Sequence, residues 1–208
     1  MPLIAFVGNK GGAGKTTLSV NVASGLSRKN KVAVIDADPQ GSSLQWRAFS
    51  SREEAVPVIE ANEQLEEQAK QLLKDYEFVV IDCPPSVHAV QTTKALSFSD
   101  IALVPVQPSP VDLWATVHIE EAVAKARDTN TNLNAFLVIN QLEPRTTLSR
   151  LVRDALSEIG LPVANTALRR RAIYRTSALE GKSVFDMKSR GRDAAMELEQ
   201  LIDEVLAQ

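Results

Sequence analysis

Cysteine is nearly absent from this chain of 208 residues, in which Cys83 is the only one. One thiol excludes an internal disulfide, and it leaves too few ligands for a cysteine zinc site or an iron–sulfur cluster. Long apolar runs are also missing, since none approaches the roughly 20 residues needed to cross a bilayer. No basic segment precedes the first apolar run, which predicts a buried strand and not a signal peptide. These absences predict a cytoplasmic protein.

Aromatic residues make up only 5% of the chain, although hydrophobic residues make up 44%. The apolar content is mostly Ala, Val, Leu and Ile, which suits a buried parallel sheet covered by helices. The length fits one domain, so residues 1–208 are expected to form a single unit. Histidine is scarce as well, because His88 and His118 are too few and too scattered for a catalytic or metal role.

Short apolar runs alternate with helical patterns along the whole chain, and this alternation predicts an α/β fold. We expect a twisted, mostly parallel sheet with helices on both faces. Asn62 and Asp112 are predicted to cap the helices that follow them. The predicted strands are 3–8, 32–35, 56–59, 78–81, 101–106 and 135–139, with a last extended segment at 163–168. The predicted helices are 15–29, 42–49, 62–75, 86–96, 112–127, 147–159, 172–179 and 193–206.

A glycine-rich segment follows the first predicted strand and opens the first predicted helix. It reads Gly8-Asn9-Lys10-Gly11-Gly12-Ala13-Gly14-Lys15-Thr16-Thr17. Glycines let the backbone fold closely around a polyphosphate, and the helix N-terminus adds its positive end. Lys15 then places a charge on the β- and γ-phosphates, while the Thr16 hydroxyl suits Mg²⁺. The segment predicts a P-loop that binds ATP with Mg²⁺, although Asn9 stands where the common pattern has glycine.

Acidic residues end two further predicted strands. Asp36 and Asp38 follow the second strand, and Asp82 follows the run at 78–81. Open α/β sheets place their ligands at such carboxyl ends. Asp82 has the placement of an acid that holds hydrated Mg²⁺ beside a P-loop. A helix cap at Asp82 and a simple turn at the other two acids are the alternatives.

Several motifs resemble those of the ParA/MinD family of ATPases. Residues 10–17 look like its deviant Walker A motif, which carries a second lysine, here Lys10. Residues 34–41 are similar to the Walker A′ segment, and Asp82-Cys83-Pro84-Pro85 is similar to the Walker B strand end. Residues 104–110 resemble the proline-rich stretch of short ParA proteins, including the ParF type. The resemblance covers nearly the whole chain and implies a P-loop NTPase fold.

This resemblance implies a role for each matching residue. The metal would lie near Thr16, Asp36 and Asp82, while Asp38 would orient the attacking water. Lys10 would cross a dimer interface to the partner's nucleotide, so that ATP controls a homodimer. Catalysis would therefore depend on Lys10, Lys15 and Asp38, with slow turnover until a partner protein stimulates it. The nucleotide would be bound by Gly11, Gly12, Ala13, Gly14, Lys15, Thr16 and Thr17, with Asn140 reading adenine.

Charge is distributed unevenly along the chain. Residues 145–192 hold 11 Lys and Arg against 4 Asp and Glu, which is a local net charge of +7 within a chain of net charge −3. Such asymmetry suggests a basic face that could neutralise DNA phosphates without reading bases. The ParA resemblance implies non-specific binding to nucleoid DNA. The candidate contacts are Arg169, Arg170, Arg171 and Arg175, within a stretch that also contains Arg150; a solvated surface with local ion pairs is the alternative.

We therefore predict a ParA-type ATPase that is nucleoid-associated and positions plasmid or chromosomal cargo with a ParB-like adaptor. A protein organelle such as a carboxysome is the alternative cargo. A MinD-like membrane regulator is a second alternative, but the acidic segment 196–205 would be repelled by anionic lipid. A metabolic P-loop enzyme that phosphorylates a small molecule is a third. No helix-turn-helix extension is expected before the P-loop.

Overall fold

The computed structural model describes residues 2–51 and 55–207, except for the side chains of 148–150. Arg150 of the predicted basic stretch therefore lies outside the described side chains. Within these ranges one sheet has the strand order β3-β2-β4-β1-β5-β6, and every neighbouring pair is parallel. Its strands are β1 (Leu3–Phe6), β2 (Val32–Asp36), β3 (Val58–Glu60), β4 (Phe78–Asp82), β5 (Ile101–Val106) and β6 (Asn134–Ile139).

The helices connect these strands and cover both faces of the sheet. They are α1 (Lys15–Leu26), α2 (Ser42–Phe49), α3 (Leu65–Leu72), α4 (Val90–Phe98), α5 (Pro110–Arg127), α6 (Thr147–Ser157), α7 (Ala172–Leu179) and α8 (Arg192–Leu206). Two short 3₁₀ turns at Val184–Asp186 and Lys188–Gly191 precede α8. Predicted and observed ends differ by a few residues, but the predicted α/β fold is confirmed.

Alternate residues of each strand pack into two separate cores, as the pleat of a sheet requires. Ile4 and Phe6 of β1 lie in a core that α1 and α8 cover. Ala5 and Val7 lie in the opposite core, which α3, α4, α5 and α6 cover. Helix α8 buries Leu198, Leu201, Ile202 and Val205 in the first core. This C-terminal helix therefore packs on the sheet.

Two local predictions, both of helix caps, were wrong. Helix α3 has Gln64 as its N-cap, because Asn62 instead accepts a hydrogen bond from the Gln64 amide two residues later. Helix α5 begins two residues before Asp112. Its N-cap is Ser109, whose hydroxyl oxygen accepts a hydrogen bond from the Asp112 amide. The predicted extended segment at 163–168 begins with an isolated parallel bridge between Val163 and Leu137, and a second bridge joins Arg169, just after it, to Leu142.

Candidate nucleotide-binding site

The carboxyl edge of the sheet brings the predicted acids together. Asp36 of β2 and Asp82 of β4 are direct partners in the parallel register. Strand β1 lies beside β4, so the glycine-rich loop that follows it emerges next to Asp82. Asp38 lies two residues beyond Asp36, and its amide donates to the Asp36 carboxylate at 3.2 Å. The three carboxylates predicted from two strand ends therefore share one edge with the loop.

The glycine-rich loop depends on backbone conformations that favour glycine. Gly12 and Gly14 have φ values of 82° and 99°, in the left-handed region that L-residues with a Cβ rarely adopt. Gly14 is also the N-cap of α1, and a Cβ added there would overlap Nδ2 of Asn140. The loop therefore delivers its amides at the positive end of α1, where an anion is favoured.

Three side-chain amides hold the carbonyl groups of this loop. Asn140 Nδ2 donates to the Ala13 carbonyl at 2.7 Å. Gln107 and Gln141 both donate to the Gly12 carbonyl, at 2.5 Å and 3.2 Å. Gln141 adopts a φ of 55°, an uncommon conformation for a non-glycine residue that places it at the site. These contacts fix the carbonyl groups of Gly12 and Ala13.

Sequence reasoning missed two of these amides. Gln107 directly follows β5 and Gln141 lies two residues after the end of β6, so their position after a buried strand was the available signal. Asn140 was expected to read adenine, and its amide nitrogen is instead engaged by the loop in this structure. The adenine role of Asn140 thus remains a proposal.

The two loop lysines face different acceptors. Lys15 is buried, and its Nζ donates to the Lys10 carbonyl at 3.1 Å. Burial lowers the pKa of Lys15, while the charges of Asp82 and Asp38 act in the opposite direction. Lys10 instead forms an ion pair with Asp112 of α5, with Nζ 2.6 Å from Oδ1. Sequence reasoning did not predict that partner.

Burial dominates the electrostatics of the acids. It raises the pKa of Asp82 from 3.8 to about 6, an effect that the Ser43 and Thr16 hydroxyls partly offset. Burial also raises the pKa of Asp36, against backbone hydrogen bonds from Leu44 and Asp38. Without a bound cation, ionisation of either carboxyl group therefore costs free energy. A bound cation would remove that cost.

The residues at this edge fit a magnesium ion. Asp82 Oδ2 accepts from the Ser43 hydroxyl at 2.7 Å, whereas its buried Oδ1 has no hydrogen-bond partner among the described residues. Thr16 lies close enough to lower the pKa of Asp82. Across residues 2–51 and 55–207 no three His, Cys, Asp or Glu side chains form a metal cage. The free Asp82 Oδ1 and the nearby Thr16 hydroxyl suit Mg²⁺, which usually binds through one or two protein oxygens plus substrate phosphates and water.

The predicted DNA-binding arginines lie near the same site. A cavity of about 140 Å³ is lined by Thr17, Asn140, Gln141, Arg169, Arg170, Arg171, Tyr174 and Arg175. Arg171 pairs with Glu197 at 2.6 Å and with Asp193 at 3.3 Å. Arg169 also contacts Glu197, and Arg170 pairs with Glu143. For Arg175 the described residues provide no ion pair. Local ion pairs, which were the alternative to a DNA-binding surface, are thus present at three of the four arginines.

Cys83 and the two tryptophans differ in how far they are exposed to solvent. Cys83 is buried beside Asp82, and burial raises the pKa of its thiol far above the usual range. Trp46 is buried and its indole donates to the Lys182 carbonyl at 3.2 Å. Trp114 differs, because 71% of it is exposed on α5. In the described part of the chain, no helix is both long and apolar enough to cross a bilayer.

Comparisons with known proteins agree with this site. A family model described as the CobQ/CobB/MinD/ParA nucleotide binding domain matches residues 4–184. Maintenance of carboxysome distribution protein A of Halothiobacillus neapolitanus is 42% identical over 206 residues, which cover 98% of this chain and 95% of that protein. A plasmid partition protein of Borrelia burgdorferi bound to AMPPNP superposes with a TM-score of 0.76 at 21% identity, covering 99% of this chain and 98% of that one.

A complex of Cyanothece McdA with ATP has a TM-score of 0.77 at 14% identity and covers 99% of this chain and 96% of that one. At these identities the two solved structures establish the fold alone, whereas the family model extends over most of the chain. The predicted resemblance and the predicted P-loop fold are confirmed. This chain belongs to the CobQ/CobB/MinD/ParA family of nucleotide-binding domains.

Proposed function

We propose that this chain is a ParA-type positioning ATPase that binds ATP with Mg²⁺, dimerises, binds DNA without sequence preference and releases it after hydrolysis. The observation that carries this proposal is the shared sheet edge, where Lys15 of the glycine-rich loop lies in the field of Asp38 and Asp82, and Asp36 is the strand partner of Asp82. Phosphoryl transfer needs positioned water and charge neutralisation more than covalent chemistry. The edge supplies residues suited to both.

Each residue of this sheet edge has a proposed role in binding or hydrolysing ATP. The amides of residues 11–14 and the Lys15 ammonium would bind the phosphates, with Thr17 at the α-phosphate. Thr16 and Asp82, with Asp36 beside them, would hold Mg²⁺, which neutralises charge on the phosphates. Asp38 is half-buried and accepts a hydrogen bond from the Gln40 amide at 3.0 Å. A carboxylate oriented in that way can position the water that attacks the γ-phosphate.

The dimer follows from the second lysine. In the family that this loop resembles, the lysine at the Lys10 position reaches the nucleotide of the other subunit. A cation delivered in this way acts like an arginine finger, worth about 10³–10⁵ in rate. The γ-phosphate would then decide whether two copies stay together, and hydrolysis would separate them. Turnover would stay slow until an adaptor protein stimulates it.

The cargo is the finer question, and one relative bears on it. The 42% identity to a carboxysome distribution protein extends over nearly both chains, whereas Soj of Bacillus subtilis is 24% identical. We therefore favour a protein organelle of the carboxysome type as cargo over a plasmid or a chromosome. Imaging after deletion of the gene tests this choice. Clustered organelles with normal plasmid retention support it, and plasmid loss with evenly spaced organelles contradicts it.

The membrane alternative has little support from α8. Leu198, Leu201, Ile202 and Val205 are already buried against α1 and the sheet, so they are not free to enter a lipid surface, and only Met196 and Leu206 of the large apolar side chains of α8 are exposed. Sedimentation with anionic liposomes and ATP would test this directly. Binding to those liposomes at a level comparable to DNA binding would favour a membrane-surface regulator instead.

One experiment tests the central proposal. DNA binding is measured by fluorescence anisotropy with ATP, ADP or no nucleotide, across a salt series and on two unrelated DNA sequences. We expect binding only with ATP, equal on both sequences and weakened steeply by salt. Replacement of Arg169, Arg170 and Arg171 by Glu should remove it at moderate salt. Equal binding in all three nucleotide states would contradict the proposed cycle.

A further inference from the structure

The fold places the two histidines of the chain side by side. His88 lies in the turn before α4, and His118 lies in α5, 30 positions further along the sequence. The centres of their rings are 6.4 Å apart, and the ring planes are inclined at 59°. In the sequence these residues looked too scattered to act together, but in the structure they are neighbours.

Both imidazoles line a cavity of about 390 Å³ between α4 and α5. The cavity is open to solvent, because the His118 side chain is 56% exposed and His88 is exposed as well. Two charged side chains of α5, Glu121 and Lys125, also line it. A small ion can therefore reach the two rings from water.

The spacing of the rings fits one metal ion between them. Histidine nitrogen binds Zn²⁺ at about 2.0–2.1 Å, which puts the centre of each ring about 3.2 Å from the ion. Two rings on one ion therefore have their centres about 5 to 6.5 Å apart, depending on the angle at the metal. The observed distance lies at the upper end of this range. Rotation of the exposed side chains is enough to bring a nitrogen of each ring to a shared ion.

Glu121 is placed to orient His118. Its Oε2 lies 3.7 Å from Nδ1 of His118, three residues earlier on the same helix. A histidine that binds a metal through one ring nitrogen usually directs the other at a carboxylate, a carbonyl or water. With Nδ1 next to Glu121, Nε2 is the nitrogen left for a metal. The Glu121 carboxylate also offsets the charge of a cation, which Lys125 opposes.

The backbone of His88 is fixed by the turn that carries it. The His88 amide donates to the Ser86 hydroxyl at 3.2 Å, and the Ala89 amide donates to the Ser86 carbonyl at 3.3 Å. The neighbouring Val87 amide contacts Asn9 Oδ1 of the glycine-rich loop at 3.4 Å. An ion between the two histidines would therefore connect α5 to a turn that borders the loop.

We propose that His88 and His118 bind a late first-row divalent metal ion such as Zn²⁺, with Glu121 as a positioning residue, at a site separate from the proposed Mg²⁺ site. Imidazole suits Zn²⁺, Ni²⁺ and Cu²⁺, whereas carboxylate, carbonyl and water ligands suit Mg²⁺. Among the described residues no third His, Cys, Asp or Glu completes a cage. Water therefore fills the other positions, and the ion binds reversibly. This site goes beyond the proposed ATPase cycle and does not depend on it.

The experiment is Zn²⁺ binding to the full, nucleotide-free chain without an affinity tag, measured by competition with a chromogenic chelator. One Zn²⁺ should bind to each chain. His88→Gln and His118→Gln should each weaken binding by about 100-fold, because each removes one of two protein ligands, and Glu121→Gln should weaken it by about tenfold. Asp128→Asn, at the end of α5, changes the net charge as Glu121→Gln does and should have no effect. Asp82→Asn should also bind Zn²⁺ normally, which separates this site from the magnesium site.

A second measurement shows whether both rings share the ion. The two imidazoles give the only histidine C2 proton resonances of the chain. Titration with Zn²⁺ should shift both resonances with the same midpoint. Zn²⁺ at about 100 times its dissociation constant should also raise the midpoint of thermal unfolding by about 5 °C in wild type and in neither His→Gln variant.

Each outcome either supports or overturns the site. Zn²⁺ binding that both His→Gln variants lose, with coincident resonance shifts, supports it. Absence of Zn²⁺ binding, equal binding by the double variant His88→Gln/His118→Gln, or loss in only one single variant would overturn it. Unchanged binding by Glu121→Gln, with both histidines required, would overturn only the positioning role of Glu121. Failure of ATP-dependent DNA binding would overturn the proposed function and leave this site standing.

Discussion

The glycine-rich loop and the arginine segment 169–175 both concentrate positive charge, yet they hold it differently. In the loop, Lys15 is buried, rests on a backbone carbonyl and lies within the field of Asp38 and Asp82. In the arginine segment, three guanidinium groups pair with acidic side chains from α8 and from the loop after β6. The first charge is kept available for an anion, whereas most of the second is already neutralised. Counting cations therefore says little about which of them a ligand can use.

The largest effect should come from the loop. Lys15→Ala removes the cation that is proposed to bind the phosphates, and the loss of a charged hydrogen bond of that kind should weaken ATP binding by about 100-fold or more. Calorimetry with ATP and Mg²⁺ measures the change. Lys29→Ala, an exposed lysine just beyond α1, is the matched control and should bind ATP normally. Tight ATP binding by the Lys15→Ala variant would show that the charge of the loop is not the one that an anion uses.

A smaller effect is expected at Asp38. Asp38→Ala should leave ATP binding and ATP-dependent dimers intact and slow steady-state phosphate release by about 100-fold, because the water loses its orienting carboxylate. The measurement is a phosphate-release assay at saturating ATP, with sedimentation to count dimers. Turnover at the wild-type rate would assign the water to a different group.

The buried acid should respond to pH in a direction set by its pKa. Between pH 3.8 and about 6 the folded chain keeps a proton on Asp82 that the unfolded chain releases. The free energy of unfolding therefore falls as pH rises through this window, and the full cost is present above it. Asp82→Asn should raise the free energy of unfolding of the nucleotide-free, chelator-treated protein by about 2 kcal/mol near neutral pH.

That gain should shrink toward zero near the lower end of the window. Denaturant titrations of both proteins at several pH values check the trend. A stability difference that does not change with pH would show that the charge of Asp82 is not its cause.

The smallest effects should separate two arginines of the same segment. Arg175 has no ion pair within the described residues, so Arg175→Ala should reduce the salt slope of DNA binding by about 1 and leave stability unchanged. Arg171 pairs with Glu197 and Asp193, so Arg171→Ala should instead lower the free energy of unfolding by about 1 kcal/mol. Thermal unfolding and anisotropy on both variants measure the contrast. If Arg171→Ala and Arg175→Ala lost DNA binding equally, the ion pairs of Arg171 would not be keeping it from DNA.

The features that could be predicted are those that depend on residues close together in the sequence. A glycine-rich loop after a strand, and acids at strand ends, predict one shared edge because parallel strands align their carboxyl ends. The edge at Asp36 and Asp82 was expected for that reason. The Ser109 cap was missed although a serine followed by a proline at the first helical position is a recognised signal for the start of a helix.

Contacts between distant segments were not predictable in the same way. Lys10 meets Asp112, and Arg171 meets Glu197, only after separate elements have packed. Nothing in the spacing of a single chain distinguishes these partners from other acids nearby. The sequence pattern therefore indicated which residues are at the site, while the packed structure was needed to show what each one contacts.

The burial of Cys83 has a practical consequence. Its thiol is sheltered and resists ionisation, so maleimide dyes should react slowly with the native protein. A cysteine introduced at an exposed position would then carry nearly all of the label. Fluorophores placed in this way on two populations of the protein would report the approach and separation of single molecules by energy transfer, without first removing the natural thiol.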